Sequence, residues 1–440
     1  MRLSERDRRI LALAIPALGG LAVEPLYVLV DTAIVGRLGT VPLGGLALAS
    51  TTLTSLLWVF NFLSYGTTAR VAFLTGRGDE RRAAGVASQA LWLAALIGLP
   101  LAAGVFLLAR VFATVIGGHG AVLNAAVTYL RISALGMPAV LVALVGQGHL
   151  RGLSDTRTPF VVVAVANGIN VVLELIFVYA IHLGIAGSAW GTVIAQLVAA
   201  AWFLGLIGRR VGATGVERRP RWGEMRELIV IGRHLFLRTA ALLATLAAST
   251  SVAARLGATR LGGHQIALQI ETFLALAVDA LAIPGQALVG TLLGAGDVPE
   301  ARATGQRLLR WGLAIGAVLA VVVVSLAGVL PHLFSGDAGV VHNATVALVF
   351  VGVMQVPASA AFVLDGSLMG ASDFRFLQWA TIAAGLAFVP FAVAVLHWHG
   401  LGIVGIWAGL LVWIMARAAA NMVRFRGSRW VSVAHVPADM

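Results

Sequence analysis

The stretch LAIGAVLAVVVVSLAGVL (313–330) contains no charged residue and is apolar at nearly every position. About 20 predominantly apolar residues in a helix are needed to cross the hydrocarbon core of a membrane. A strand of a transmembrane barrel would instead alternate apolar and polar residues over about ten positions. The stretch therefore predicts a transmembrane helix, and similar stretches recur along the chain between short segments that carry Arg or Gly.

The composition agrees with a chain made largely of such helices. Hydrophobic residues make up 59% of the 440 residues and charged residues 11%, whereas a soluble domain carries about 25% charged residues. A water-soluble fold is excluded, and an all-α integral membrane protein is predicted. We expect twelve transmembrane spans, at 10–36, 42–73, 84–110, 121–147, 159–181, 186–208, 228–254, 260–291, 304–330, 340–366, 376–397 and 402–423.

The 31 basic residues are all Arg, and their distribution predicts the orientation. With both termini placed in the cytoplasm, most of them fall in cytoplasmic segments, as the positive-inside rule requires. Four fall outside (Arg37, Arg110, Arg255, Arg260) and three are assigned to spans (Arg70, Arg131, Arg238). The predicted domains are a lobe at 1–208, a cytoplasmic linker at 209–227, a second lobe at 228–423 and a cytoplasmic tail at 424–440.

Several function classes are excluded by what the chain lacks. There is no Lys and no Cys, so there is no phosphate-binding P-loop lysine, thiolate metal site or thiol nucleophile. The net charge of +12 follows the membrane topology and does not indicate a nucleic-acid partner. No catalytic pair or metal motif occurs at a suitable spacing, so we expect a protein that is not an enzyme and has no cofactor or metal.

The two halves of the chain are related by one constant offset, which takes Arg37 to Arg255. The matches are Arg37–Gly39 with Arg255–Gly257, Gly76–Asp79 with Gly294–Asp297, Ser154–Asp155 with Ser372–Asp373, and Gly184–Gly187 with Gly402–Gly405. Four matches at one offset indicate a duplicated unit of six helices. Because six is even, each unit enters the membrane in the same direction, so the lobes are expected to be related by a pseudo-twofold axis along the membrane normal.

Five segments resemble the multidrug and toxic compound extrusion (MATE) transporters, especially the DNA-damage-inducible (DinF) branch. These are IPALGGLAVEPLYVLVDTAIVGRLG (15–39), LTGRGD (74–79), YLRI (129–132), LRGLSDTRTP (150–159) and LGIAGSAWGT (183–192). The resemblance covers nearly the whole chain. It implies twelve helices in two lobes that form a V, and drug export driven by H⁺ or Na⁺.

Acidic residues inside the spans are the first candidates for function, since a charge at the bilayer centre costs roughly 2.5 to 3.5 kcal/mol. There are six of them: Glu24, Asp31, Glu174, Glu271, Asp279 and Asp365. Residues three and four apart share one face of a helix. A polar stripe is therefore predicted from Glu24, Tyr27 and Asp31 on the first span, Asn167, Asn170 and Glu174 on the fifth, and Thr192 and Gln196 on the sixth.

The resemblance implies a role for part of this stripe. In proton-coupled relatives an acid on the first helix, an Asn and an acid on the fifth, and a Thr on the sixth form the coupling site, and Asp31, Asn170, Glu174 and Thr192 match those positions. Burial and a neighbouring acid both favour a protonated carboxyl group, so Asp31 is expected to bind a proton outside and release it inside. Pro16 is the predicted hinge of the first helix, since Pro weakens a helix locally.

The second half carries a weaker set of candidates. Asp365 matches an acid that partners a Glu on the seventh helix in Na⁺-coupled relatives, but Leu242 stands at the Glu position. Glu271 and Asp279 on the eighth span, and Asn61 at the position equivalent to Asp279, are candidates to line a substrate cavity. Coupling is therefore predicted in the first lobe, with H⁺ favoured over Na⁺ as the coupling ion.

The favoured function is export of amphipathic, cationic organic compounds by alternating access, in exchange for the coupling ion. We expect a monomer in the cytoplasmic membrane of a bacterium, with the lipid bilayer and small organic substrates as its partners and no nucleic acid. The alternative is a flippase for lipid-linked oligosaccharides or lipids from the same superfamily. Such flippases often have fourteen helices and a basic cavity, whereas the intramembrane charges here are mostly acidic.

Overall fold

The computed structural model describes residues 4–216 and 219–433, and its regular structure is helical. Short π-helical and 3₁₀ turns occur at Ile176–Ala180, Leu330–Leu333 and His399–Leu401. The α-helices are α1 Glu5–Gly36, α2 Thr40–Val59, α3 Phe62–Gly76, α4 Glu80–Val115, α5 Gly120–Ala134, α6 Met137–Gly152, α7 Arg157–Leu175, α8 Ile185–Thr214, α9 Trp222–Arg255, α10 Ala258–Gly294, α11 Val298–Leu326, α12 Ala338–Gly370, α13 Phe374–His397, α14 Gly402–Arg426 and α15 Arg429–Val433.

The number of spans agrees with a multi-pass membrane protein. Eleven helical segments of the described chain are long and apolar enough to cross a membrane, and the bent pair α5 and α6 makes a twelfth if it is one span. In the second span, α2 and α3 are separated only at Phe60 and Asn61. The prediction of an all-α membrane protein is confirmed.

The fourth span is bent, which the hydrophobic pattern at 121–147 does not predict. Its two helices meet at an angle of 52°. The break lies just before Pro138, which has no N–H for the preceding helical turn. The predicted linker at 209–227 is also shorter than expected, because α8 continues to Thr214 and α9 begins at Trp222. Residues 217–218 of that linker and 434–440 of the predicted tail lie outside the described residues.

The backbone repeats at the offset found in the sequence. Positive φ angles occur at Gly39 and Gly257, Gly78 and Gly296, Ser154 and Ser372, and Gly184 and Gly402. Helix contacts repeat as well, since Gly148 packs on the backbone of Ser64 and Gly366 on that of Ala282. The two halves therefore fold alike, including turns where non-Gly residues adopt a conformation that L-residues rarely occupy.

The chain divides into two compact units, Ile15–Gly232 and Met1–Ala14 with Arg233–Met440. The boundaries lie after Ala14 and Gly232, two positions that the same offset relates. The predicted lobes at 1–208 and 228–423 follow from counting six spans in each half of the sequence. These lobe boundaries remain a prediction.

The first unit includes the beginning of α9. Leu228 belongs to the same buried cluster as Leu63 and Ala84, and Glu227 pairs with Arg70 at 2.7 Å. The beginning of α9 is thus held by both apolar packing and an ion pair.

The second unit includes the beginning of α1. Ile10 and Ala14 are buried with Val278, Leu281, Leu308 and Val363. The carboxylate of Asp7 accepts hydrogen bonds from Arg307 at 2.6 Å and from Trp311 Nε1 at 2.8 Å. The first turns of α1 are therefore an integral part of the second unit.

Candidate functional site

Asp31 is buried in the first unit, with 4% of its surface exposed. Its Oδ1 accepts a hydrogen bond of 2.7 Å from the hydroxyl of Ser188 on α8. Ser188 is fully buried. The partner of Asp31 is thus a serine on the sixth span, and the polar stripe of α1 faces α8.

Tyr27 and Thr192 connect the same two helices one turn further along. The two hydroxyl groups are 2.9 Å apart, and Thr192 Oγ1 also donates to the carbonyl of Ser188 at 3.1 Å. Asn170 on α7 donates its side-chain N–H to Thr192 Oγ1 at 3.3 Å. Four of the predicted residues, Asp31, Tyr27, Asn170 and Thr192, are therefore joined through α8 in one hydrogen-bonded cluster.

Glu174 lies on α7 one turn after Asn170 and is fully buried. Its carboxyl group faces Asp31 and Ser188. Neither carboxyl oxygen has a hydrogen-bond partner among the described residues, and the same is true of Asn170 Oδ1. A buried polar atom without a partner costs about 1–3 kcal/mol. These oxygens are therefore suited to bind a proton or a cation.

Close packing keeps α7 and α8 together at this point. A Cβ atom on Gly191 would lie 3.0 Å from Asn170 Oδ1 and 3.2 Å from the backbone nitrogen of Glu174. Glycine at position 191 therefore allows the two helices to approach until Asn170 can reach Thr192.

The other predicted residues of the first half lie outside the hydrogen bonds of this cluster. Glu24 is exposed, and Asn167 donates to the carbonyl of Val163 on its own helix at 2.9 Å. Asn61 is half-buried at the break between α2 and α3. Pro16 lies inside α1, which continues as a helix on both sides of it.

Gln196 lies at the bend of the fourth span. Its Oε1 is packed against Gly136, between α5 and α6, so a larger residue at position 136 would require the Gln196 side chain to move. This oxygen and Ser133 Oγ are buried and have no hydrogen-bond partner in the described part of the chain. Gln196 is one turn from Thr192, so the hydrogen-bonded cluster around Asp31 and the bend of the fourth span share helix α8.

Asp365 in the second unit has a different environment, enclosed by cations. Its Oδ2 accepts from Arg238 on α9 and from Arg417 on α14, the latter at 2.7 Å. Its Oδ1 accepts from Asn421 at 2.7 Å. Both oxygens of Asp365 are thus engaged by side chains of the protein itself.

The two remaining predicted acids, Glu271 and Asp279, lie on α10. Glu271 Oε2 accepts a hydrogen bond of 2.6 Å from Gln355 on α12. Asp279 is half-buried and interacts electrostatically with Arg417. Glu271 and Asp279 thus have partners on different helices of the second unit.

Sequence reasoning missed Ser188, Tyr129 and Arg417. Ser188 lies one turn before Thr192 in the motif LGIAGSAWGT, so the helical period could have found it. Tyr129 begins the YLRI motif, and its buried hydroxyl faces Asp31, Ser188 and Thr192. Arg417 was not among the three Arg residues assigned to spans. It lies inside the predicted span 402–423, and only 2% of it is exposed because it pairs with Asp365.

Comparison with known proteins gives the family. The profile of the MatE family matches residues 16–176 and 236–394, which is one match in each half. The chain belongs to the MATE family. The two matches of this MATE protein stop short of the sixth and twelfth spans and begin, in the first half, at Pro16.

Individual relatives span nearly the whole chain of this MATE protein. It is 31% identical to "Protein DETOXIFICATION 45, chloroplastic" of Arabidopsis thaliana, over 96% of this chain and 79% of that one. It is 30% identical to "DNA damage-inducible protein F" of Escherichia coli strain K12, over 97% of this chain and 95% of that one. Among solved structures, "Crystal structure of MATE in the bent conformation" superposes with a TM-score of 0.90 at 21% sequence identity. The superposition covers 98% of this chain and 96% of that one. The predicted family, its DinF-like character and the two-lobe MATE fold are confirmed.

Proposed function

We propose that this MATE protein is a secondary active exporter of organic compounds, coupled to inward movement of H⁺ at the cluster of Asp31 and Glu174. The observation that supports this most directly is the buried Glu174 carboxyl group, whose two oxygens lack a hydrogen-bond partner in the described chain and face Asp31. Two carboxyl groups close together in an apolar environment cannot both ionise easily. A proton that binds there is held until the surroundings of the cluster change.

Asn170 and Thr192 supply the polar groups that a proton-binding pair needs. The Thr192 hydroxyl meets both Tyr27 and the Asn170 amide, so a change at one side chain alters hydrogen bonds on three helices. Pro16 is proposed as the hinge through which such a change bends α1. If the transported compound and the proton bind to different conformations of the first unit, their exchange shifts the unit between those conformations and produces alternating access.

The hydrogen bonds of Asp365 favour the first unit as the coupling unit. A coupling cation needs free carboxylate oxygens, and those of Asp365 are occupied by Arg238, Arg417 and Asn421. Na⁺ coupling in the second half is therefore disfavoured. The acids Glu24, Asp31 and Glu174 of the first unit favour cationic organic substrates. The bacterial relatives favour a cytoplasmic membrane, and the distribution of Arg favours both termini inside.

Transport in reconstituted liposomes tests the proposal. Ethidium movement would be driven first by an imposed pH gradient and then by an Na⁺ gradient, for the natural chain, Asp31→Asn and Asp297→Asn. Asp297 is the cap of α11 and serves as a control for loss of a carboxylate elsewhere. We expect transport driven by the pH gradient in the natural chain and the control, and none in Asp31→Asn. Na⁺-driven transport that survives Asp31→Asn would contradict the proposal.

A further inference from the structure

The buried hydrogen-bonding atoms without a partner differ in chemical kind between the two units. In the first unit, among the described residues, they include the acceptor oxygens of Asn170, Glu174 and Gln196. In the second unit they include the nitrogens Trp407 Nε1, Trp413 Nε1 and Arg417 Nε. Indole and guanidinium N–H groups can donate but not accept. Apart from hydroxyl and imidazole groups, which can both donate and accept, these atoms are acceptors in the first unit and donors in the second.

Two of these donors belong to one cluster on α14. Trp413 and Arg417 are one turn apart and are 7% and 2% exposed. The guanidinium carbon of Arg417 lies 5.3 Å from the centre of the Trp413 ring and 5.4 Å from that of Phe362. A guanidinium group between two aromatic rings is held in one plane by cation–π interactions.

The ion pair with Asp365 fixes the remaining freedom of Arg417. Its Nη2 donates to Asp365 Oδ2 at 2.7 Å, whereas its Nε makes no hydrogen bond to that carboxylate. Asp279 adds an electrostatic interaction with Arg417, but Nε has no hydrogen-bond partner among the described residues. The Nε–H group is thus a buried donor without a partner in the described chain, on a side chain restrained by the Asp365 ion pair and by contact with the Trp413 ring.

Nothing equivalent exists in the first half of the sequence. At the offset that relates the halves, Trp413 and Arg417 correspond to Ala195 and Ala199, and Asp365 to Gln147. A buried charge inside a membrane helix is costly and usually marks a functional site. Since the two halves share their backbone, α14 would fold with small residues at these positions, as α8 does.

We propose that Trp413 and Arg417 form a binding site for an acceptor oxygen of the transported compound, either a carboxylate or a carbonyl oxygen. The site rests on the proposed function and specifies the chemistry of its substrate. Trp413 Nε1 and Arg417 Nε donate to the acceptor, contacts with Phe362 and Trp413 restrain the guanidinium group, and Asp365 anchors Arg417 through Nη2. Compounds that carry only donors gain nothing from this site.

Binding of three matched probes to the purified full chain tests the proposal. The probes are 2-naphthoate, 2-naphthamide and 2-naphthylmethylammonium, which share a ring system and differ in their polar group. Binding would be measured by calorimetry for the natural chain, Trp413→Phe and Trp407→Phe. Trp407 is the matched control, because its indole N–H is also buried without a partner in the described chain but its ring packs at an angle against His264 rather than against Arg417.

We expect Trp413→Phe to weaken binding of the two probes with acceptor oxygens about tenfold, as for loss of a hydrogen bond to a fixed donor. Binding of the ammonium probe is expected to be unchanged, and Trp407→Phe is expected to resemble the natural chain with all three. Tighter binding of 2-naphthoate than of 2-naphthamide would assign the site to carboxylates, and the reverse order to carbonyl groups.

The proposal is overturned if neither oxygen-bearing probe binds, if Trp413→Phe has no effect, or if it weakens the ammonium probe equally. Unchanged binding would mean that water satisfies the two N–H groups. Arg417→Lys keeps the charge but removes the Nε–H, and it serves as a second variant if Trp413→Phe elutes as an aggregate. If the probes with acceptor oxygens bind selectively but the liposomes show no transport driven by pH, this site is kept and the proposed antiport is rejected. Failure of the site and failure of the proposed function are therefore distinguishable.

Discussion

The hydroxyl of Ser188 donates a hydrogen bond of 2.7 Å to Asp31 Oδ1, and both side chains are buried. This bond connects the first and sixth spans at the residue on which the proposed coupling depends. Asp31 and Ser188 are both neighbours of the Glu174 carboxyl group, so removal of this bond is expected to affect both stability and transport.

Ser188→Ala is expected to lower the free energy of unfolding by about 1–3 kcal/mol, because it leaves a buried carboxyl oxygen without its donor. Transport driven by a pH gradient should fall by about tenfold or more. Ser133→Ala is the matched control, since the buried Ser133 hydroxyl has no hydrogen-bond partner in the described chain. Thermal unfolding in detergent and ethidium flux measure the two effects. Equal stability and equal flux in the two variants would show that Ser188 has no role in the proposed coupling.

Gly148→Ala and Gly366→Ala are expected to destabilise the protein by about 1–3 kcal/mol each, as overpacking does in a tight interface. A Cβ atom on Gly148 would lie 2.5 Å from the carbonyl oxygen of Ser64, and one on Gly366 would overlap the backbone of Ala282. Gly205→Ala on α8 should be neutral or stabilising, because a Cβ atom there meets nothing within 4 Å. Midpoints of thermal unfolding in one detergent would show whether the two buried positions differ from Gly205.

Asp365→Asn is expected to cost about 3–5 kcal/mol, since it leaves Arg238 and Arg417 buried beside a neutral group. Asp297→Asn should change stability little, because Asn caps a helix about as well as Asp does. Thermal unfolding and a ²²Na⁺ binding assay on the natural chain and both variants are the measurements. Na⁺ binding by the natural chain that Asp365→Asn abolishes, without loss of stability, would show that Asp365 is a cation ligand.

Asp7→Asn is expected to destabilise the second unit, because a neutral amide holds Arg307 and Trp311 less strongly than a carboxylate does. Asp7 is 1% exposed and accepts from Arg307 and Trp311. Glu5→Gln, two residues earlier, removes only the ion pair of two exposed side chains with Arg9, and its effect should stay below about 1 kcal/mol. The rate of proteolysis within α1 is expected to be higher in Asp7→Asn than in Glu5→Gln. Equal rates in the two variants would contradict the role of Asp7.

Much of the fold could be predicted because membrane helices leave a simple pattern. Twelve apolar stretches marked the spans, and the constant offset between the halves predicted the repeat that the backbone shows at Ser154 and Ser372. The bend of the fourth span was missed, because hydropathy does not report a change of helix direction. Gly136 and Pro138 are the local signal for it.

The candidate site was predictable where residues follow the helical period. Tyr27, Asp31, Asn170 and Thr192 share faces of their helices, and they do lie together. The enclosure of Asp365 was not predictable, because Arg238 and Arg417 are 127 and 52 residues away from it in the chain. Such pairs depend on how helices pack, which no local pattern contains.

The membership of α1 in two units also has a consequence for the order in which the protein folds. Ile10 and Ala14 pack in a cluster whose other members, such as Val278 and Leu308, all come from the second half of the chain. During synthesis the first unit can therefore assemble while the start of α1 still lacks its neighbours. The start of α1 is synthesised before the residues it packs against, so it is among the last segments to reach its native surroundings, and a chain stopped after Gly232 would leave it without a place to pack.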